Sequence, residues 1–435
     1  VSALLTRAIA ALQAGRLEEA EPLLRRAVTV APANADAHSL LGALLDQRGR
    51  TAEAEREYQT ALRLKPKHVA ARANLGVLLA RTGRTTEAIR VFEDVLRDAP
   101  DHPQVLFNLG VQYAARGQYD RAATLFERAR QQQPENVALL YQLAVALYQL
   151  KRIDDAAAVL ASAATLAPAD PDVLYARGLV AAARGASEAA AEYWQQALAA
   201  RPNFPAVNFM LGEELRKRRS YTGAVEFYER ALAQDPTQLV YYVRLGGTYM
   251  LLVRYDKAFD LFQRAVQRFP DKPEVYYFVG IAARGRAMYD AAETSFRRAL
   301  ALEPDNFDAL AQLGFIVGER GRLAEAEQLL GRARTLQPKH FYASYDLGRL
   351  LVKTSRYAEA LPILQAAAGL RPKNASVHYQ LFMAYARLKR KDEAERELTL
   401  FKQLDEERKA RERSGQPTED DIEDAPRNDA PPPTP

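Results

Sequence analysis

The run LGVQYAARGQYDRAATLFERARQQQP, residues 109–134, decides the fold. Its landmarks Leu109, Gly110, Tyr113, Ala122, Phe126 and Pro134 return at a fixed spacing through most of the chain. The proline is the clearest marker. Pro32, Pro66, Pro100, Pro134, Pro168, Pro202, Pro236, Pro270, Pro304, Pro338 and Pro372 stand 34 residues apart, with no insertion or deletion. A period of this size marks stacked units that each cannot bury a core alone and do so against their neighbours.

With the proline as position 32, repeats start at Val1, Ala35, Val69, Pro103, Val137, Pro171, Pro205, Leu239, Pro273, Phe307, Phe341 and Ala375. Position 20 is alanine in all twelve, and position 8 is glycine in nine. Position 24 is large, as in Tyr58, Phe92, Trp194 and Phe262. Apolar residues at positions 4, 7, 8 and 11, and again at 20, 24 and 27, recur at helical spacing, so each repeat reads as two helices, A and B. Small residues at 8 and 20 let the two backbones approach, and the large residue at 24 fills the space beside them. The proline stops helix B by pushing the residue before it out of the α region. Asn34, Asn136, Asp170, Asn306 and Asn374, at position 34, suit the cap of the next helix A. Glycine at position 15 of six repeats suits the turn between the helices.

Leu-Gly-x-x-Tyr, then Ala-x-x-x-Phe, then Pro, resembles the tetratricopeptide repeat. Repeat 8 carries it as fully as repeat 4, in Leu245, Gly246, Tyr249, Ala258, Phe262 and Pro270. The resemblance spans residues 1–408 and implies an all-α, right-handed superhelical solenoid of helix–turn–helix repeats, with A helices lining a concave groove. Repeat 12 departs from the pattern with Phe382 at position 8 and Phe401 at position 27, as a capping repeat should. Residues 409–435 read as a charged helix end followed by an acidic, proline-rich tail that is expected to be disordered.

Composition narrows the function. Cysteine is absent, which excludes disulfides, thiolate metal sites and cysteine nucleophiles. The net charge of +5 divides into −5 for residues 414–435 and +10 for the rest, interleaved and without a basic stripe, which disfavours nucleic acid. The five histidines fall at positions 4 and 34, about one repeat apart where repeats are adjacent, so they do not converge on a metal. The glycines fall mostly at positions 8 and 15, and no phosphate loop is present. No enzyme, cofactor or metal is expected, and no stretch is apolar enough to cross a membrane. Arginine outnumbers lysine 47 to 13, which reads as a GC-rich bacterial source. The start at Val1, itself position 1 of a repeat, gives the expectation of an exported protein with its leader removed, the cytoplasm being the alternative.

What stacking does not require points to a protein or peptide partner. The resemblance places positions 2, 5, 6, 9, 12 and 13 on the groove. Phe107, Tyr141, Tyr175, Phe209, Tyr277, Tyr345 and Tyr379 form an aromatic lane at position 5, joined by Tyr148 and Asn108. Aromatics there supply contact area at little entropic cost, or else pack against the neighbouring helix. Charged candidates form two clusters, Glu213, Arg216, Arg244 and Arg284, then Asp346, Arg349 and Lys353. They suit an extended acidic peptide, or pair with one another in a solvated groove. No repeat has lysine at position 5, which disfavours the carboxylate-clamp members of the family, and the asparagine ladder of its glycosyltransferase-fused members is only partial. Alanine-rich repeats 5 and 6 offer either a docking face or simply strong helix propensity.

The expected function is therefore a non-enzymatic protein-interaction scaffold holding an extended segment in its groove. The alternatives are a bridging subunit of bacterial envelope polysaccharide, pilus or secretion machinery, or the regulatory repeats of an enzyme outside this chain. The oligomeric state is open. One consequence is testable at position 20: Ala224→Leu should overpack the contact between helices A and B and cost ~1–3 kcal/mol, read as a lower denaturation midpoint.

Overall fold

The computed structural model describes residues 1–413 as α-helices joined by short turns. Residues 414–435, the expected acidic tail, lie outside the described residues. The helices run α1 (Ser2–Gln13), α2 (Leu17–Val30), α3 (Ala35–Gln47), α4 (Thr51–Leu64), α5 (Val69–Arg81) and α6 (Thr85–Asp98). Then come α7 (Pro103–Ala115), α8 (Tyr119–Gln132), α9 (Val137–Gln149), α10 (Ile153–Leu166), α11 (Pro171–Ala183) and α12 (Ser187–Ala200). The second half holds α13 (Pro205–Lys217), α14 (Tyr221–Gln234), α15 (Leu239–Leu251), α16 (Tyr255–Arg268), α17 (Pro273–Gly285) and α18 (Tyr289–Leu302). It ends with α19 (Phe307–Glu319), α20 (Leu323–Leu336), α21 (Phe341–Lys353), α22 (Tyr357–Leu370), α23 (Ala375–Arg387) and α24 (Lys391–Arg413). The chain forms two compact units, residues 1–202 and 203–435. In each, odd-numbered helices pair with the even-numbered helix that follows, and each hairpin packs on the next, the all-α repeat class that the sequence implies.

The packing follows the repeat. Alanine 20 is fully buried in repeats 1–11 and nearly so at Ala394. Glycine 8 lies against the side chain at position 24, a ring in seven repeats and leucine at Leu330 and Leu364. A Cβ built on Gly178 would sit 2.1 Å from Nε1 of Trp194, and one on Gly246 2.2 Å from Cζ of Phe262. Trp194 is further pinned because its indole N–H donates to the Tyr175 carbonyl at 3.2 Å. Just before the proline, the backbone turns to φ near −137° and ψ 74° at Ala31, and similarly at the other helix B ends, so the helix stops there.

All five expected caps form. Asn34, Asn136, Asp170, Asn306 and Asn374 accept backbone N–H bonds of the next helix at 2.9–3.1 Å. Two histidines at the same position do likewise, a role not read from the sequence. Nδ1 of His68 accepts from Ala71 N–H at 3.1 Å while Nε2 donates to Asp36 at 2.8 Å. His340 repeats this with Ala343 at 3.0 Å and Asp308 at 3.0 Å. His102 makes no such cap, and in its repeat Ala70 stands where the orienting aspartate would be. Position 15 is left-handed in every repeat, whether occupied by glycine, as at Gly83 (φ 80°), or not, as at Val253 (φ 57°).

A second repeated feature joins neighbours. A glutamate at position 21 faces an arginine at position 16 of the next repeat, which also holds its own glutamate at position 19. Glu55, Arg84 and Glu87 form it with contacts of 2.6 and 2.7 Å. Glu327, Arg356 and Glu359 form it with 2.8 and 2.7 Å. Glu293 is an enclosed case, facing Arg297 at 2.8 Å, Arg320 at 3.1 Å and Arg322. The Arg322 hydrogen bond leads a set of arginine contacts that holds the Glu293 carboxyl at about 2, against the partial burial that opposes it.

Two outcomes follow from these contacts. Val253 is largely exposed, so Val253→Gly relieves left-handed strain with little packing lost. It should stabilise by ~1 kcal/mol, seen as a melting shift of roughly 2–4 °C. Because the folded-state pKa of Glu293 is depressed, its contribution is full above the ordinary glutamate value of about 4.5. It is lost as pH falls from there towards 2. Glu293→Gln should therefore lower the melting temperature by roughly 2–4 °C at pH 7, and by progressively less between pH 4.5 and 2.

Candidate functional site

The C-terminal unit holds a half-open cavity of about 730 Å³. Its walls come from the A helices α13, α15, α17, α19 and α21, from Tyr255 at the start of α16 and Leu370 at the end of α22, and from the loops that lead into α21 and α23. Among the described residues, five cations line it, Arg216, Arg244, Arg284, Lys339 and Arg371, against one carboxylate, Asp308, which already holds His340. Aromatic surface comes from Tyr255, Tyr277, Phe278, Phe341 and Tyr342.

Four of these cations have a defined neighbour: rings and polar groups for Arg284 and Arg371, and Glu213 for Arg216 and Arg244. Arg371 lies 4.8 Å over the rings of both Phe341 and Tyr342 and donates to the Tyr342 hydroxyl at 2.9 Å. Arg284 is 4 % exposed, sits 5.8 Å over Phe315 and donates to the Gln312 side chain. Guanidinium groups placed over rings in this way keep their charge. Glu213 faces Arg244 at 3.3 Å and Arg216 at 3.6 Å and accepts from the Tyr228 hydroxyl. Burial pushes the Tyr228 phenol above its usual range, and the Glu213 carboxylate adds to this. Burial alone would lower the Arg216 pKa, but Glu213 and Tyr228 raise it above the ordinary arginine value. Burial also raises the Tyr255 phenol, with Arg284 opposing it. The ring of Tyr255 rests on Gly285, where a Cβ would approach within 2.3 Å.

The structure brings together Arg216, Arg244, Tyr277 and Arg284 from the sequence candidates, with Glu213 behind them. Arg349 and Lys353 belong instead to a small crevice of about 20 Å³ beside Asp346, where Arg349 stacks 5.1 Å over Phe315 and pairs with Glu319 at 3.0 Å. Tyr345 and Asp346 are not on an open groove surface. They are 3 % and 2 % exposed, and Tyr345 stacks on Phe341 with ring centres 5.6 Å apart. The reason is local: α19 and α21 bury residues 309–318 and 341–348 on every face, whereas most A helices bury one.

The other lane residues take up packing roles. Tyr379 contacts Phe382 at 6.2 Å and Phe401 at 5.2 Å, closing the last repeat. Phe209 packs on Tyr228 and Tyr241 at 5.7 and 5.0 Å. In the N-terminal unit Phe107 leans on Phe126 at 5.9 Å. Tyr141 is half-buried, and its phenol is raised by that burial, with Asp172 adding to it. Tyr148 lies under Lys151 at 5.9 Å, and Tyr175 receives the Trp194 indole on its carbonyl. Asn108 buries its amide nitrogen without a hydrogen-bond partner among the described residues.

Lys339, Phe341 and Arg371 were missed because the groove rule counts only chosen positions of helix A. The usable signal is a pairing of positions 2 and 31 within a repeat. It joins Tyr342 to Arg371, and also Asp172 to Arg201 at 2.6 Å. Among the described residues no group of three or more histidines or carboxylates could hold a metal, and no helix is long and apolar enough to cross a membrane.

Two tetratricopeptide-repeat profiles match the sequence, one over residues 5–68, 44–103, 175–238 and 317–375, the other over 113–180, 283–340 and 351–408. Comparison with curated proteins returns no match. Among solved structures, the chain is similar to one in the crystal structure of the APC/C hetero-tetramer Cut9-Hcn1. The two share 14% identity and a TM-score of 0.48, covering 92% of this chain and 93% of that one. It is also similar to the crystal structure of yeast Tom70, with 17% identity, a TM-score of 0.41, and coverage of 90% of this chain and 96% of that one.

Proposed function

The chain belongs to the tetratricopeptide repeat family, a family of protein-interaction scaffolds, and from that premise we propose that it binds an extended acidic segment of a protein partner in the cavity of its C-terminal unit. The observation that carries this reading is the lining, five cations to one carboxylate, interleaved with rings in a space of about 730 Å³. Guanidinium groups held over rings keep their charge and donate to carboxylates, and the half-buried rings of Tyr255, Tyr277 and Phe278 supply apolar surface between them. Glu213 acts as an internal counter-charge, so Arg216 and Arg244 stay compatible with an empty site. The scaffold reading needs no chemistry from these residues.

A fluorescein-labelled peptide alternating aspartate with tyrosine and phenylalanine is the direct probe, with a lysine-for-aspartate copy as control. Arg371→Glu together with Lys339→Glu should weaken anisotropy-monitored binding of the acidic probe by about tenfold or more, with strong salt dependence. Glu213→Gln should tighten it. Unchanged affinity in the double variant, or equal binding of the lysine copy, refutes the reading.

A further inference from the structure

The cavity has a candidate occupant within the same chain. Residues 414–435 hold six carboxylates, Glu419, Asp420, Asp421, Glu423, Asp424 and Asp429, and a single arginine, Arg427. That charge of −5 is the complement of the cavity lining.

The segment begins where α24 ends, at Arg413. Helix α24 is 23 residues long, whereas the B helices before it have 14. It follows α23 through a short turn and so packs antiparallel to it, running back towards the loop that precedes α23. Leu370, at the end of α22, and Arg371, in that loop, line the cavity. Among the side chains whose burial is described, the last buried one of α24 is Leu404, and residues 405–413 carry the helix about 13 Å further in that direction. From Arg413, the eleven residues to Asp424 span at most about 36 Å when extended. Lys339 and His340 line the same cavity from the preceding interrepeat loop, so the basic rim faces the side on which the chain leaves α24.

We propose that the acidic stretch Glu419–Asp429 occupies this cavity in cis, as an internal competitor that an external acidic partner must displace. The inference rests on the acidic-segment reading of the cavity and adds its first ligand. A tethered segment of this length acts at an effective concentration of about millimolar, so it competes strongly even when its intrinsic affinity is modest. Access to the site is then set by whatever sequesters or neutralises the segment.

The test uses the full chain and a full-length variant with the six acids neutralised (Glu419→Gln, Asp420→Asn, Asp421→Asn, Glu423→Gln, Asp424→Asn, Asp429→Asn). The probe is a fluorescein-labelled peptide copying residues 414–430. The neutralised chain should bind it at least about tenfold more tightly than the unaltered chain. Lys339→Glu, on an exposed loop, should remove that gain, and serves if Arg371→Glu impairs folding. Equal binding by the two full-length chains, including no binding by either, overturns the proposal. Tight binding by the neutralised chain that is indifferent to both Lys339→Glu and Arg371→Glu also overturns it, since the segment then docks elsewhere. Competition that grows with protein concentration, with a dimer mass in light scattering, assigns the segment to a second copy and overturns occupancy in cis. The aspartate–aromatic probe separates the two levels: if the neutralised chain binds it and Lys339→Glu abolishes that binding, the function reading stands even where the internal competitor does not.

Discussion

Everything in this protein depends on the close approach of helices A and B within each repeat. Glycine at position 8 admits the ring or branched side chain of position 24 to within contact of its Cα, and alanine at position 20 lets the backbones meet behind it. The geometry leaves no room for a methyl group at Gly178 or Gly246. That single contact sets the hairpin, and identical hairpins stack because each leaves the same apolar face open. The left-handed turn at position 15 is a consequence. Its backbone is retained at Val253 and Lys151, where the residue itself resists it, so packing overrides local preference.

Electrostatics then work between repeats. The glutamate of position 21 and the arginine of position 16 recur as a clasp at Glu55–Arg84, Glu293–Arg322 and Glu327–Arg356. These residues are one repeat apart less five positions, and no helical-face argument brings them together. They use up many of the arginines that make the chain basic. The arginines that line the cavity are held differently, Arg284 and Arg371 over rings and Arg216 and Arg244 against Glu213. Charge in this molecule is thus divided between joining neighbours and lining a cavity.

Nearly all of the helix plan could be read from the chain. The prolines, the alanines at position 20 and the caps at Asn34 and Asn306 each act through a local rule, and each sits where that rule puts it. The candidate site was legible only in part. Arg216, Arg244, Tyr277 and Arg284 were marked by not being needed for stacking, and they line the cavity together. Tyr345 and Asp346 met the same criterion but are buried, because α21 is enclosed on every face. Lys339 and Arg371 failed the criterion because they lie on loops, yet they form the basic rim.

The sequence by itself determined the repeat length, the helix boundaries and the contacts inside each hairpin, because these rest on interactions between residues fewer than 34 apart that recur identically. The tertiary structure decided which groove positions open onto a shared space and which are sealed, and where the chain divides into two units. Small differences between repeats add up over several hairpins, and a periodic pattern carries no record of that sum. The cavity draws on five successive A helices, two loops and the ends of two B helices at once, so no single repeat encodes it.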